Sequence, residues 1–267
     1  MQRIALGVEY DGHGFCGWQA QKTGVPTVQG AVEAALSKVA NEPIRIICAG
    51  RTDTGVHAAE QVVHFESAVE RNSRAWVFGG NANLPDTVCL LWAKSVDNDF
   101  HARFSARRRR YQYVIFNRQI RPTYLAYRTT WEYRPLDEKL MQQGANFLIG
   151  KHNFNAYRAV GCQAKSPVRE VYRLQVTRKN EFVFLDIEAN AFLHHMVRNI
   201  AGVLMDIGAG KREPLWARDI LLAQDRKCGG VTASPAGLYL TGVSYESEFE
   251  LPQNNRSEPF LSPPFLG

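Results

Sequence analysis

The strongest constraint on the fold is an order of hydrophobic periods that runs along the chain twice. Residues 2–10 alternate, with Ile4, Leu6, Val8 and Tyr10 on one face, the pattern of a strand with one solvated side. Thr27 is placed to cap a helix whose apolar stripe is Val28, Val32, Ala35, Leu36 and Val39. Strand-like runs at 44–49 and 61–66 follow, then a short helix near 73–82 and a strand at about 88–95. The same β-α-β-β-α-β order returns as strand 109–117, helix 137–149, strands 168–178 and 181–190, helix 193–208 and strand 238–243. An extra helix near 214–223 precedes the last strand. Helix 193–208 is the clearest element, because Leu193, Met196, Val197, Ile200, Leu204 and Ile207 form one stripe. The doubled order predicts an α+β protein of two ferredoxin-like βαββαβ halves, with antiparallel sheets flanking a basic central cleft. The halves are expected at 1–106 and 107–248. Residues 249–267 hold four of the twelve prolines and no periodicity, so they are expected to form an unpacked, disordered tail.

Charge narrows the partners. The formal net charge is +6, and nine arginines crowd the stretch from Arg103 to Arg134. Such a concentration favours a polyanion, with nucleic acid ahead of membrane because no basic amphipathic helix is evident. No segment approaches the ~20 apolar residues of a membrane helix, and the N-terminus does not fit a signal peptide. Five cysteines (Cys16, Cys48, Cys89, Cys162 and Cys228) lie far apart, in odd number and without a CxxC pair. That usage suits a reducing, cytoplasmic setting and argues against a disulfide framework or a zinc site. The histidines add no metal-ligand spacing; His194 and His195 are expected as helix neighbours whose side chains diverge.

Two glycine-rich stretches imitate phosphate loops and fail on context. Gly12-His13-Gly14-Phe15-Cys16-Gly17 follows a strand, but Gly24 and Pro26 interrupt the chain before any helix can receive a pyrophosphate. A flexible loop is expected there. Gly208-Ala209-Gly210-Lys211 has Met205 where a glycine is required and Arg212 where Ser or Thr should follow. No nucleotide cofactor is expected.

Three other stretches carry chemistry. Ala49-Gly50-Arg51-Thr52-Asp53-Thr54-Gly55-Val56-His57-Ala58 falls between two predicted strands. Glycines permit tight turns, and the threonines and Arg51 favour an ionised Asp53, suited to act as nucleophile or base. On local chemistry alone, a plain turn with an Arg–Asp surface pair is the commoner outcome. Arg107-Arg108-Arg109-Arg110-Tyr111-Gln112-Tyr113 reads as a strand with both tyrosines on one face and Arg110 and Gln112 on the other. Arginines beside a ring are what an unstacked RNA base and its phosphate need, whereas Tyr113 reads as core. Finally, Arg198 sits early in an apolar helix, beside its stripe. It reaches solvent along its own stem or is held by an anion, for which Asp53 is the candidate.

Together these stretches resemble the bacterial tRNA pseudouridine synthases that act on the anticodon stem and loop, the synthase A family. The resemblance runs from Tyr10-Asp11-Gly12 and Gly17-Trp18-Gln19 through Gly50-Arg51-Thr52-Asp53 and Gly55-Val56-His57-Ala58. It continues in Asn83-Leu84-Pro85, Phe104-Ser105-Ala106, Arg110-Tyr111-Gln112-Tyr113, Met196-Val197-Arg198 and Gly237-Leu238-Tyr239-Leu240. Thr54 stands where the family commonly has alanine, and Ser234 where proline is frequent. The resemblance implies a homodimer that binds tRNA and isomerises uridine to pseudouridine at tRNA positions 38, 39 and 40, with no metal and no cofactor. It gives Asp53 the role of nucleophile, Tyr111 that of the ring stacked on uracil, and Arg51 that of the residue intruding as the nucleotide flips out. Arg198 matches the partner of the aspartate and Leu240 an apolar wall of the uracil pocket, while Arg110 is expected to contact phosphate. A non-catalytic RNA-binding protein using the same basic cleft is the alternative; a metal-dependent nuclease would need a carboxylate cluster that the motif lacks.

Overall fold

A computed structural model describes residues 1–252. The described chain is α+β, with ten strands and five α-helices, and its strands pair mostly antiparallel. Contacts divide the described residues into two compact units: 1–107 with 239–252, and Arg108–Leu238.

In the first unit the order is β1 (Gln2–Tyr10), α1 (Val28–Ala40), β2 (Ile47–Cys48), β3 (His57–Ser67), α2 (Ser73–Asn81) and β4 (Val88–Val96). The sheet runs β4-β1-β3, with β2 also on β3. Thr27 caps α1 as expected, its hydroxyl accepting from Gly30 N at 3.2 Å. The final strand, β10 (Leu238–Ser244), lies parallel to β3, with Tyr239 beside His57 and Leu240 beside Ala58. The sequence order had placed this strand at the end of the second half.

Two expectations are corrected here. β1 is not solvated on one side: Ala5 is fully buried in a cluster with Ala49, Val62, Phe100 and Ala102, and Gly7 lies under the Trp92 indole. Alanine and glycine carry too little hydropathy to register as an inward face, yet their smallness is what admits the covering side chains. The start of the expected tail is also packed. Phe249 and Leu251 cover that same cluster, and Lys94 Nζ donates to the carbonyls of Phe249 at 3.2 Å and Glu250 at 2.8 Å. Residues 253–267 lie outside the described residues.

The second unit contains β5 (Arg108–Asn117), β6 (Thr130–Glu132), α3 (Glu138–Asn146), β7 (Gly150–Asn153), β8 (Val168–Lys179), β9 (Phe182–Ala189), α4 (Met196–Gly208) and α5 (Trp216–Ala223). Its strands run β5-β9-β8-β7, and β6 lies parallel to β5. β6 and β7 were not foreseen, because three and four residues are too few to show a period. α4 starts at Met196, since His195 adopts the left-handed region at φ 61°. His194 and His195 therefore stand in the turn before the helix and not on it.

His64 on β3 is 3% exposed, and its Nδ1 accepts from Ala102 N at 3.1 Å. Burial first, then the neighbouring His101 and Arg3, push its pKa from 6.5 down to about 4. Between these values the unfolded chain binds a proton that the folded chain refuses. Stability should therefore fall as pH drops from 6.5 towards 4 and level off below. Glu66, held low by its bond to Arg3, titrates beneath the usual 4.5. His64→Gln should flatten the pH dependence of the urea midpoint between pH 6.5 and 4.5, and an unchanged slope would remove His64 as its cause.

Candidate active site

The loop between β2 and β3 is braced from both ends. Ala49 N donates to Val62 O at 2.8 Å, and the buried Gln61 amide bonds both the N–H and the carbonyl of Gly50. Thr52 is buried: its carbonyl accepts from Trp18 N at 3.0 Å, and its hydroxyl lies 2.8 Å from Tyr10 Oη. Val56 N donates to Asp53 O at 3.1 Å, closing a turn in which Gly55 takes φ 77°. Asp53 is thus half-buried on a backbone bonded immediately before it and at its own carbonyl, beside the exposed Arg51.

The glycine-rich segment 12–17 is part of this brace, which corrects the expectation of a flexible loop. Gly12 N donates to His57 Nδ1 at 3.0 Å. A Cβ on Gly12 would lie 2.0 Å from Val56 O, so only glycine lets the two backbones meet. Gly17, at φ 83°, also faces the Thr52–Thr54 backbone, less tightly: a Cβ there would lie 3.0 Å from Thr52 O. His57 is 2% exposed and stacks on Tyr239 at 4.7 Å, which ties the end of the loop to β10. Leu240, the next residue, is fully buried.

In the second unit Tyr111 lies on β5 opposite Ile187 and meets Phe192 edge-on at 5.0 Å. Tyr113 is core, as expected; its hydroxyl bonds Thr130 Oγ1 and donates to Ser234 O at 2.8 Å, and burial raises its pKa. On the other face of β5, Arg110 stands opposite Glu188, and Gln112 donates to Asp186 Oδ1 at 3.2 Å. Burial raises the Asp186 carboxyl pKa. The basic run is not idle charge: Arg107 pairs with Glu246 and Arg108 with Glu188, each at 2.7 Å, and Arg109 donates to Asn190 O.

Arg198 occupies the first turn of α4 and is steered by backbone. Its Nε donates to Ala233 O at 2.8 Å, and Ala233 N returns a bond to Arg198 O at 3.2 Å. The segment carrying Ala233 is fixed on the helix by Asn199, whose Oδ1 accepts from Arg226 and Thr232 and whose Nδ2 donates to Tyr157 O. Sequence reading missed Asn199, Gln61 and His57 as supports, because a buried polar side chain leaves no period to detect; it named Thr52, whose hydroxyl meets the distant Tyr10 and not the local backbone. Arg51, Asp53 and Leu240 thus belong to the first unit, and Arg110, Tyr111 and Arg198 to the second.

A family model described as tRNA pseudouridine synthase matches residues 7–105 and 145–246. The tRNA pseudouridine synthase A of Pseudomonas aeruginosa is 56% identical over 262 residues, covering 98% of this chain and 92% of that one. The chain belongs to the tRNA pseudouridine synthase A family. Family members named tRNA pseudouridine synthase A from Nitrosococcus oceani and Legionella pneumophila (strain Lens) are 58% and 55% identical, over 95% and 97% of this chain and 98% of each of theirs. The stretches matched by the family model contain Arg51, Asp53, Arg198 and Leu240, while Arg110 and Tyr111 fall between them. Among the described residues no helix is long and apolar enough to cross a membrane.

Proposed function

We propose that this protein isomerises uridine to pseudouridine in the anticodon stem and loop of tRNA, at positions 38, 39 and 40, with Asp53 as its nucleophile. The observation that carries the reading is a half-buried carboxylate on a loop braced by Tyr10, Trp18 and Gln61, inside the segment the family model matches. The reaction breaks C1′–N1, turns the uracil and joins C1′ to C5; N1 gains a proton and C5 loses one, with no net redox change. It needs neither a nucleotide donor nor an electron carrier. An ionised Asp53 serves by attack at C1′, by assisting loss of the C2′ proton or by addition to uracil C6.

The other roles follow from the family resemblance. Arg198 takes the role of the aspartate's partner, and its fixed Nε limits how its guanidinium can turn. Arg51 enters as the nucleotide leaves its stack, and Leu240 forms an apolar wall; Arg110, on the strand face opposite Tyr111 in the basic run, contacts phosphate. Flipping costs a few kcal/mol, which basic and aromatic contacts offset. Each unit is read as a ferredoxin-like half, supported in the first by its β-α-β-β-α-β order and β4-β1-β3 sheet. A cytoplasmic homodimer that needs no metal completes the reading.

Incubating the purified protein with an unmodified tRNA transcript should produce pseudouridine at those positions, and cytidine there should abolish it. Binding without any conversion would favour the non-catalytic alternative. Tyr111→Ala should reduce turnover about 5- to 100-fold, the worth of one stacked base. Because the ring is uncharged, the salt dependence of tRNA affinity should keep its slope, whereas removing one phosphate contact lowers it by about 0.7–0.9. A variant that changed the slope and left the chemical step intact would return Tyr111 to a packing role against Phe192.

A further inference from the structure

The turn leading out of β4 holds an aromatic ring in solvent and fixes it there. Phe104 is 75% exposed, yet the backbone beneath it is bonded at every step. His101 O accepts from Ser105 N at 2.9 Å, and His101 N donates to Ser105 Oγ at 3.0 Å. His101 Nδ1 accepts from the amides of Arg103 and Phe104, both at 3.2 Å. Ala102 is gripped from both sides, its N–H by His64 and its carbonyl by the Tyr245 hydroxyl at 2.7 Å. The His101 ring backs Phe104 at 4.3 Å, and the Arg103 guanidinium lies 5.6 Å from the same ring.

This turn adjoins the loop that carries Asp53. Ala49, where the loop begins, shares a buried cluster with Phe100 and Ala102. Arg51 and Arg103 are both near enough to Cys48 to oppose the burial that raises its thiol to about 11. The exposed ring therefore stands in a positively charged neighbourhood beside the catalytic loop.

A phenyl group gains nothing from water, and a loose turn would fold such a ring away. A pinned ring with a guanidinium beside it offers an unpaired base a face to stack on and its phosphate a cation. We propose that Phe104 is a stacking platform for an unpaired tRNA base other than the target uridine, with Arg103 serving the adjoining phosphate. The target itself needs a water-excluded pocket, and Phe104 lies in the open. The platform rests on the tRNA-modifying reading above.

The test compares the affinity of the full-length protein and two variants for unmodified tRNA, after conversion by the wild type has been measured on the same preparation. Absence of wild-type conversion would count against the enzyme reading, while the affinities judge the platform separately. Phe104→Leu keeps apolar bulk and removes the π face, so it should weaken binding about 5- to 100-fold without altering the salt slope. Phe104→Trp should hold affinity within about threefold, because it preserves a stacking face. Binding by Phe104→Leu within about twofold of wild type, or equal weakening in both variants, would overturn the proposal.

Discussion

Asp53→Asn should lower pseudouridine formation by at least about 10⁴-fold, the scale on which removal of a nucleophile acts, while tRNA affinity changes only a few-fold. Asparagine keeps the size and polarity of the side chain and removes only its charge. The turn itself is closed by the Asp53 carbonyl, and the flanking bonds belong to Thr52, Trp18 and Gln61. The loop should therefore keep its course, and the thermal midpoint should move by no more than a few degrees. Single-turnover conversion by the purified variant within about 100-fold of wild type would remove Asp53 from the nucleophile's role.

A second large effect is expected from one methyl group at a distance from the chemistry. Gly12→Ala would set a Cβ 2.0 Å from the carbonyl of Val56, at the end of the turn that begins with Asp53. The obstacle is backbone, so no rotamer change relieves it. Either the 11–13 segment retreats and loses the bond from Gly12 N to His57, or the 53–56 turn moves. Overpacking of this kind costs about 1–3 kcal/mol, and a displacement near 1 Å at a reacting group costs about 100-fold in rate. Gly242→Ala is the control, since a Cβ there meets nothing within 4 Å. It should leave both stability and turnover near wild type. Gly12→Ala with full activity would show that the brace does not set the position of Asp53.

Much of this was legible in the sequence because the signals are periodic or local. The stripe of α4, the alternation of β1, the Thr27 cap and the Gly-Arg-Thr-Asp run each lie within a short window. What escaped depends on partners distant in the chain. The inner face of Ala5 and Gly7 exists only because Trp92 and Phe249 arrive to cover it. The start of α4 is set by the left-handed backbone of His195, which the apolar stripe beginning at Leu193 does not reveal. The glycines at 12 and 17 looked like freedom and proved to be contacts, since a missing Cβ permits close approach as readily as it permits motion. At the site, the motif disclosed Asp53 but not Gln61 or Asn199, whose amides act on backbone that sequence distance conceals.

On the proposed reading, the Asp53 carboxylate makes pseudouridine in the anticodon region of tRNA. The most direct test of that reading is a map of pseudouridine in tRNA from cells lacking this protein, complemented either by the wild type or by Asp53→Asn at matched abundance. Pseudouridine is expected at positions 38, 39 and 40 with the wild type, and unmodified uridine there with the variant. Pseudouridine restored equally by both, or modification confined to other positions, would contradict it.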